Sequence, residues 1–333
     1  MTTGTGLSAQ FGMATESAYG TFVAPTRFLP ITADGESIAE RIEQIEVNEL
    51  GPSIFRRTTT YRTYQAGASG DVTFYVYNKK IGLVLYHCFG SVTTDQPDPT
   101  TKPNEYRHVF SPSTSGKRGL SATVQIGRPR RNDGTVVPHT YLGGKVTSFE
   151  FSCSAGEALQ LQTSWDFASF DHTRTLASAT YDDLVPLTFA DASVVVNGLR
   201  LPIREFSLSF DWSLETDAWT LGGTKAEPVL SDIPTIEGSF TTWYTSDLEP
   251  VLAAFRNGSV IGPLTLTAQW GEIDVGQGNP YKVVIDIPKL GVTGNPPQVG
   301  GPGPIEVEIQ FVALADGGFA PVTVTYHTSD ATP

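Results

Sequence analysis

Gly70-Asp71-Val72-Thr73-Phe74-Tyr75-Val76-Tyr77-Asn78-Lys79-Lys80-Ile81-Gly82-Leu83-Val84-Leu85-Tyr86-His87-Cys88-Phe89-Gly90-Ser91-Val92 changes period halfway along. Val72, Phe74 and Val76 alternate, the period of a half-buried strand. From Ile81 the apolar residues Ile81, Val84, Leu85, Cys88 and Phe89 fall at i, i+3, i+4, i+7 and i+8, one buried face of a short helix. Asn78 can cap its start, and Gly90 can end it in the left-handed conformation. Gly238-Ser239-Phe240-Thr241-Thr242-Trp243-Tyr244-Thr245-Ser246-Asp247-Leu248-Glu249-Pro250-Val251-Leu252-Ala253-Ala254-Phe255-Arg256-Asn257-Gly258-Ser259-Val260 has the same build. Gly70 to Gly238 and Gly90 to Gly258 are equal steps of 168 residues. Ser246 and Glu249 have capping-box spacing, and Asn257-Gly258 supplies the stop. A strand-then-helix unit that recurs predicts an internally duplicated chain.

Outward from these stretches the reading is mainly strand. Residues 37–50 (SIAERIEQIEVNEL) mix helical and alternating spacing and are read as a bulged strand. Residues 51–69 form a long polar loop carrying Arg56, Arg57 and Arg62, and residues 93–119 an insertion rich in Pro, Thr and Ser. Residues 120–127, 145–153 and 158–167 are three further strands. In the second half, Asn197-Gly198 between apolar runs marks a hairpin over 192–203. Residues 204–215 (REFSLSFDWSLE) put Phe206, Leu208, Phe210, Trp212 and Leu214 on one face and Glu205, Ser207, Ser209, Asp211, Ser213 and Glu215 on the other. Loop 216–237 answers loop 48–69, and 264–270, 281–287 and 305–314 are the closing strands. The order β-β-loop-β-α-β-β-β thus occurs twice. The expected organisation is an extended arm over 1–36, kept from helix by Pro25 and Pro30, then units over 37–175 and 176–333.

Composition narrows the function. The 333 residues carry a net charge of −13, from 35 acidic and 22 basic groups. Such a surface repels nucleic acid rather than holding it. No apolar run reaches the roughly 18 residues of a membrane span, and the first residues lack the pattern of a signal peptide. Cys88 and Cys153 are read as small core residues, too few for a disulfide framework. There is no G-x-S-x-G, H-E-x-x-H, Walker or C-x-x-C motif. The five histidines are scattered, none at ligand spacing from another. Glu306 and Glu308 alternate along a strand and are read as a polar face, not a hydrolytic pair. No catalytic, cofactor or metal residues are expected. Two basic clusters, Arg56, Arg57 and Arg62 on the long loop and Arg128, Arg130 and Arg131 before an Asn132-Asp133-Gly134 hairpin tip, are read first as ion-pairing positions toward neighbouring copies, the alternatives being solvated loops and phosphate binding.

One further run carries a family resemblance. Gln10-Phe11-Gly12-Met13-Ala14-Thr15-Glu16-Ser17-Ala18-Tyr19-Gly20-Thr21-Phe22-Val23-Ala24-Pro25-Thr26-Arg27-Phe28-Leu29-Pro30 resembles the opening of tail tube proteins of long-tailed bacteriophages, which often read FG-x-E-x-x-YGT-x-V-x-PTRFLPF. The likeness continues through Ile42 to Gly51, the Arg-rich loop, Gly67-Ala68-Ser69-Gly70-Asp71-Val72 and the helix from Asn78 to Gly90. Glu49-Leu50-Gly51-Pro52 departs from the family pattern, and Tyr75-Val76-Tyr77-Asn78-Lys79-Lys80 keeps only its outline. The second half is similar mainly through its strand-helix order.

The resemblance implies two tandem tail-tube-type β-sandwich or barrel units, each with one short flanking helix. It implies a structural subunit of the virion tail, assembled in the host cytoplasm into stacked rings through which DNA passes without specific binding. Implied partners are copies of the chain, a tape measure protein, and tail tip and terminator proteins. Hexameric rings are expected of single-unit tube proteins, so two fused units give a trimeric, pseudo-hexameric ring, six chains being the alternative. Expected lumen-facing residues are Glu205, Asp211, Glu215, Glu306, Glu308, Gln160, Gln162 and Asp166. Expected ring-to-ring contacts are Phe11, Tyr19, Phe22, Arg56, Arg57, Arg62, Arg128, Arg130 and Arg131. The competing reading is a carbohydrate-binding β-sandwich using Trp219, Trp243 and Trp270 as a platform.

Overall fold

The structure, a computed structural model, describes residues 4–47, 55, 57–294, 296–299, 301–318 and 320–333. The first half runs β1 (Gln10–Thr15), β2 (Arg27–Leu29), β3 (Ala39–Ile45), β4 (Arg62–Tyr75), α1 (Gly82–Phe89), β5 (Gly90–Asp95), β6 (Tyr106–Pro112), β7 (Ala122–Pro129), β8 (Val136–Ser154), β9 (Gln160–Phe167) and β10 (Ser169–Asp171). The second runs β11 (Ala192–Val196), β12 (Leu199–Leu201), β13 (Ile203–Asp211) and the short ribbons β14 (Leu214–Glu215), β15 (Trp219–Thr220), β16 (Thr224–Lys225) and β17 (Val229–Leu230). It continues with β18 (Thr235–Trp243), α2 (Glu249–Asn257), β19 (Val260–Ile261), β20 (Leu264–Trp270), β21 (Tyr281–Ile287), β22 (Leu290–Gly294), β23 (Glu306–Ala313) and β24 (Thr323–Thr328). No helix among the described residues is long and apolar enough to cross a membrane.

One sheet carries the unbroken order β3-β4-β9-β8-β13-β18-β23-β22, with the two-residue β19 on its far edge. Every neighbouring pair is antiparallel. The first four strands come from the first half and the last four from the second. The halves meet where β8 pairs with β13, from Ser148↔Asp211 to Ser154↔Glu205. β8 is long enough to serve two layers. Its leading part pairs with β7, and β7 pairs with β1, which pairs with β2. In the second half the matching layer is β12-β11-β20-β21-β24, extended by β6 and β5. There the counterpart of β8 is broken into β21 and β22 by Pro288, which has no N–H for a ladder. The first-half counterpart of 290–294 is therefore the trailing part of β8, not a strand matching 281–287.

Two local expectations are corrected, and one insertion gains a structure. The stretch 1–36 is not an extended arm: β1 lies between β2 and β7, and Phe11, Met13 and Leu29 are buried. Its prolines exclude helix but leave strand open, and the Phe11, Met13 alternation supplies a core face. The insertion 93–119 carries most of the β5–β6 hairpin, whose β6 pairs with β24 of the other half. Helix starts also differ. Ile81 and Leu248 occupy the N-cap positions, neither with a side-chain cap. Asn78 accepts from the Val185 N–H instead, and Glu249 is engaged by Tyr244 and Arg256.

Other local features follow the sequence. Gly90 and Gly258 close the helices with φ of 79° and 62°. Asn197 and Gly198 both have positive φ, as the hairpin turn requires. The bulge in β3 falls between Glu40 and Ile42. Ile81, Val84, Leu85, Cys88 and Phe89 are all buried. Phe210 stacks on Phe149 across the meeting of the halves at 5.1 Å, and the Trp212 indole N–H donates to the Cys88 carbonyl at 2.8 Å. The apolar face of the eight-strand sheet thus packs inward onto α1 and its own second layer.

Candidate functional site: a polar sheet face and its open edges

Because side chains alternate across a strand, burying Phe206, Leu208 and Phe210 of β13 sends Glu205, Ser207, Ser209 and Asp211 to the opposite face. Register carries that choice through the sheet. On β18 the same face shows Thr235, Glu237, Ser239 and Thr241, and on β23 Glu306, Glu308 and Gln310. On β8 it shows Ser148, Glu150 and Ser152, on β9 Gln160, Gln162 and Ser164, and on β4 Asp71 and Thr73. Ser207 and Ser239 hydroxyls lie 3.1 Å apart, and the Ser164 hydroxyl donates to Asp71 at 2.6 Å. Among these positions there is no lysine or arginine; Arg204 pairs with Glu306 at the margin. The face is broad, open and acidic.

One end of the face is covered. Asp166 is only 4% exposed, and Lys225, from the loop between β13 and β18, donates to both its oxygens at 2.7 and 2.8 Å. Burial holds the Asp166 carboxyl above its ordinary range, with Lys225 working the other way. Beside it, buried Lys145 meets Glu227 of the same loop at 2.6 Å. Burial lowers the Lys145 pKa and Glu227 opposes the shift. Asp166 is thus a clasp between the halves, not an open lumen position, because the β13–β18 loop folds back over that row. Glu215 also leaves the face, sitting on the β14–β17 ribbon. Glu205, Asp211, Glu306, Glu308, Gln160 and Gln162 share the open face.

The expected ring-to-ring residues scatter. Phe11 is 1% exposed and packs edge-on to Phe74 at 5.0 Å, so it has no surface to offer a neighbour. Tyr19 and Phe22 are half-buried, and Arg174 lies over the Phe22 ring at 4.4 Å. Burial and the nearby Asp166, Glu227 and Glu16 push the Tyr19 phenol above its ordinary pKa. Arg128 is engaged within the chain, donating to Glu36 and to the Ile38 carbonyl, both at 2.8 Å. Arg130 and Arg131 are exposed at the β7–β8 turn, Arg57 and Arg62 are exposed on the long hairpin, and Arg56 lies outside the described residues. Trp219, Trp243 and Trp270 sit on separate strands, β15, β18 and β20. Trp219 packs on Tyr64 at 5.3 Å, and Arg204 lies over Trp243 at 5.8 Å.

The sheet ends on two unequal edges. β3 is paired on one side only. At the other end β22 covers β23 only from Ile309 to Ala313, leaving Glu306 to Glu308 beside a groove lined by Gly294, Pro296 and Gln298. Two groupings escaped sequence reasoning. His139 and Glu40 come within 3.3 Å, and His172 and Glu40 within 3.1 Å, although 99 and 132 residues separate them. Lys117, His87 and Lys145 cluster under α1, with the Lys117 ammonium donating to the His87 and Val146 carbonyls. Burial, reinforced by the two lysines, lowers the His87 pKa to about 3. No local motif marks either group, since each joins elements far apart in the sequence.

A mainly β chain with a repeated four-strand order, a polar sheet face and two unclosed edges has the build of a self-associating structural subunit. A family model described as phage tail tube protein matches residues 6–313, nearly the whole chain, and the chain belongs to that family. It is a structural component of the phage tail, in a family whose members assemble into an oligomeric tube with other tail components. No curated protein matches the chain significantly.

Proposed function

We propose that three copies of this chain close a ring of six tube units, and that stacked rings form a conduit with the acidic sheet face toward the DNA. The observation that carries the reading is the β8–β13 seam. Within the chain, the last strand of one four-strand set pairs with the first strand of the next. The same two strand types, β22, bordered at Leu290 and Gly291 by the two-residue β19, and β3, stand at the outer ends. A second copy that repeats the internal seam continues the sheet with the same curvature. A repeated head-to-tail contact closes into a ring when its rotation permits, and closure removes the exposed edges. The carboxylates at Glu205, Asp211, Glu237 and Glu308 then face a duplex carrying one charge per about 1.7 Å of axis. Repulsion within the roughly 8 Å screening length keeps the DNA from adhering.

The units so fused correspond to residues up to about 175 and from 176 onward, with β1 and β2 belonging to the first. Tape measure protein inside the conduit and tip and terminator proteins at its ends complete the set of partners, with assembly in the host cytoplasm before the tail joins the virion. The exposed Arg130 and Arg131 and the long β3–β4 hairpin are the surfaces assigned to stacking. Averaged electron micrographs of tubes grown from the purified chain test the ring. Threefold symmetry with a pseudo-sixfold wall is expected, and six chains per ring would overturn it.

A further inference from the structure

We infer that Glu40, His139 and His172 form a binding site for a divalent transition cation of the zinc class, clipping edge strand β3 to the second layer of the first half. The site is assembled by register. Thr140 pairs with Asp171, so His139 and His172 sit opposite each other on the β8–β10 ribbon, with ring centroids 4.9 Å apart. Glu40 reaches them from β3, beside the bulge that turns that strand. Its Oε1 lies 3.3 Å from His139 Nδ1 and its Oε2 3.1 Å from His172 Nε2. Among the described residues, this trio has one donor atom from each residue within 4.8 Å of the others.

The spacing suits a metal. Tetrahedral zinc with bonds of about 2.0–2.1 Å to nitrogen and oxygen places its ligand atoms about 3.3–3.4 Å apart. The two carboxylate-to-imidazole distances, one to each Glu40 oxygen, are of that size, and the three donor atoms already lie within 4.8 Å of one another. Two imidazoles and one carboxylate favour zinc, cobalt or nickel over calcium or magnesium, which take all-oxygen shells. The side chains of His139, Glu40 and His172 are 23%, 24% and 44% exposed, leaving a solvent path and an open position for water.

The hydrogen bonding around His139 points the same way. Its Nδ1 faces the Glu40 carboxylate, which needs a donor, and also the Arg128 Nη1 at 3.4 Å, which needs an acceptor. One ring nitrogen cannot answer both. A cation between His139 and Glu40 uses both lone pairs at once. The Arg128 charge opposes a cation, but Glu36 and the Ile38 carbonyl hold that guanidinium at 2.8 Å each.

The test is calorimetric titration of the full chain with zinc chloride, alongside the visible spectrum of the cobalt form. One saturable site per chain in the micromolar range is expected, together with the absorption of low-symmetry nitrogen and oxygen coordination. H139A and H172A should each weaken binding at least tenfold, and the double variant should remove the site while circular dichroism and tube formation persist. Absence of saturable binding, millimolar binding only, or an unchanged site in the double variant would overturn the assignment. If the alanine variants fail to fold, H139Q and H172Q supply the same comparison with hydrogen-bonding side chains of similar reach.

Discussion

Reversing charge on the open sheet face is the sharpest test of how the tube treats DNA. Glu205 and Asp211 stand at opposite ends of the same β13 face, both exposed. Exposed substitutions of this kind shift stability by about 0.5 kcal/mol or less. Asp211 also accepts from the Ser213 N–H at 2.7 Å, and losing that bond adds about 1 kcal/mol. Neither cost unfolds a domain whose stability is on the order of 5–15 kcal/mol. The electrostatic change is larger. Each acid-to-lysine exchange moves the charge by about +2 from the ordinary side-chain charges, so the proposed three-chain ring carrying both would gain about +12. Each phosphate then engaged adds about 0.9 to the slope of log affinity against log salt. A retarding free energy of about 1.4 kcal/mol is already a tenfold change in rate. Particles with E205K/D211K tubes should therefore eject DNA at least tenfold more slowly at low salt and recover as salt rises. Ejection is read by dye fluorescence from particles whose tails look intact in micrographs. Normal kinetics at all salt concentrations would place this face away from the DNA path.

Three further outcomes follow from the packing. Deleting residues 1–36 should leave the chain insoluble, because Phe11, Met13 and Leu29 each contribute about 1.5–3 kcal/mol of burial and β7 loses one of its two partners; a soluble, cooperatively melting truncation would refute the placement of β1. K225M should destabilise the chain by about 3–5 kcal/mol by leaving Asp166 buried without its partner, while D166N/K225M recovers much of that loss; urea midpoints of the single and double variants decide it. Burial lowers the Lys117 pKa from 10.5 to about 7, so above pH 7 the unfolded chain binds more protons at this site, and Lys117 should contribute a rise in stability with pH of at most about 1.4 kcal/mol per unit. That rise runs to about pH 9, where buried Cys88, raised from 9.0 to about 12, begins to act oppositely; a K117M chain that kept the slope in urea titrations would sink the argument.

What could be read from the sequence was whatever depends on near neighbours. The alternation of Phe206, Leu208 and Phe210 gave the sheet face, and the helical spacing from Ile81 to Phe89 gave α1. Both helix ends were legible because Gly90 and Gly258 take backbone angles that other residues avoid. Features that depend on which strand meets which were not legible. Phe11 looked available in a segment dense with Thr, Gly and Pro, yet pairing with β7 buries it. Asp166 looked like a polar strand position, but a loop from the other half brings Lys225 onto it. Glu40, His139 and His172 shared no motif, and only the register of β8 with β10 and the bulge of β3 bring them together.

In the proposed ring, carrying two units in one chain would change how the wall avoids premature association. A strand edge with free N–H and C=O groups pairs with whatever edge it meets. In this chain one of the two seam types, β8 with β13, forms during folding, at the high effective concentration that a covalent connection provides. Only one donor and one acceptor edge then remain per pair of units. Both are blunted. β3 carries Glu40, Arg41 and Glu43 and a bulge that twists it away from flat pairing. The far end offers the short β22, part of it already paired with β19, with Gly291 and Gly294 in it and Pro296 and Pro297 just beyond, where β8 has a continuous ladder. Such edges pair weakly alone and well only when several form together. A closed ring meets that condition and an open chain of copies does not, so the same residues that slow aggregation favour closure.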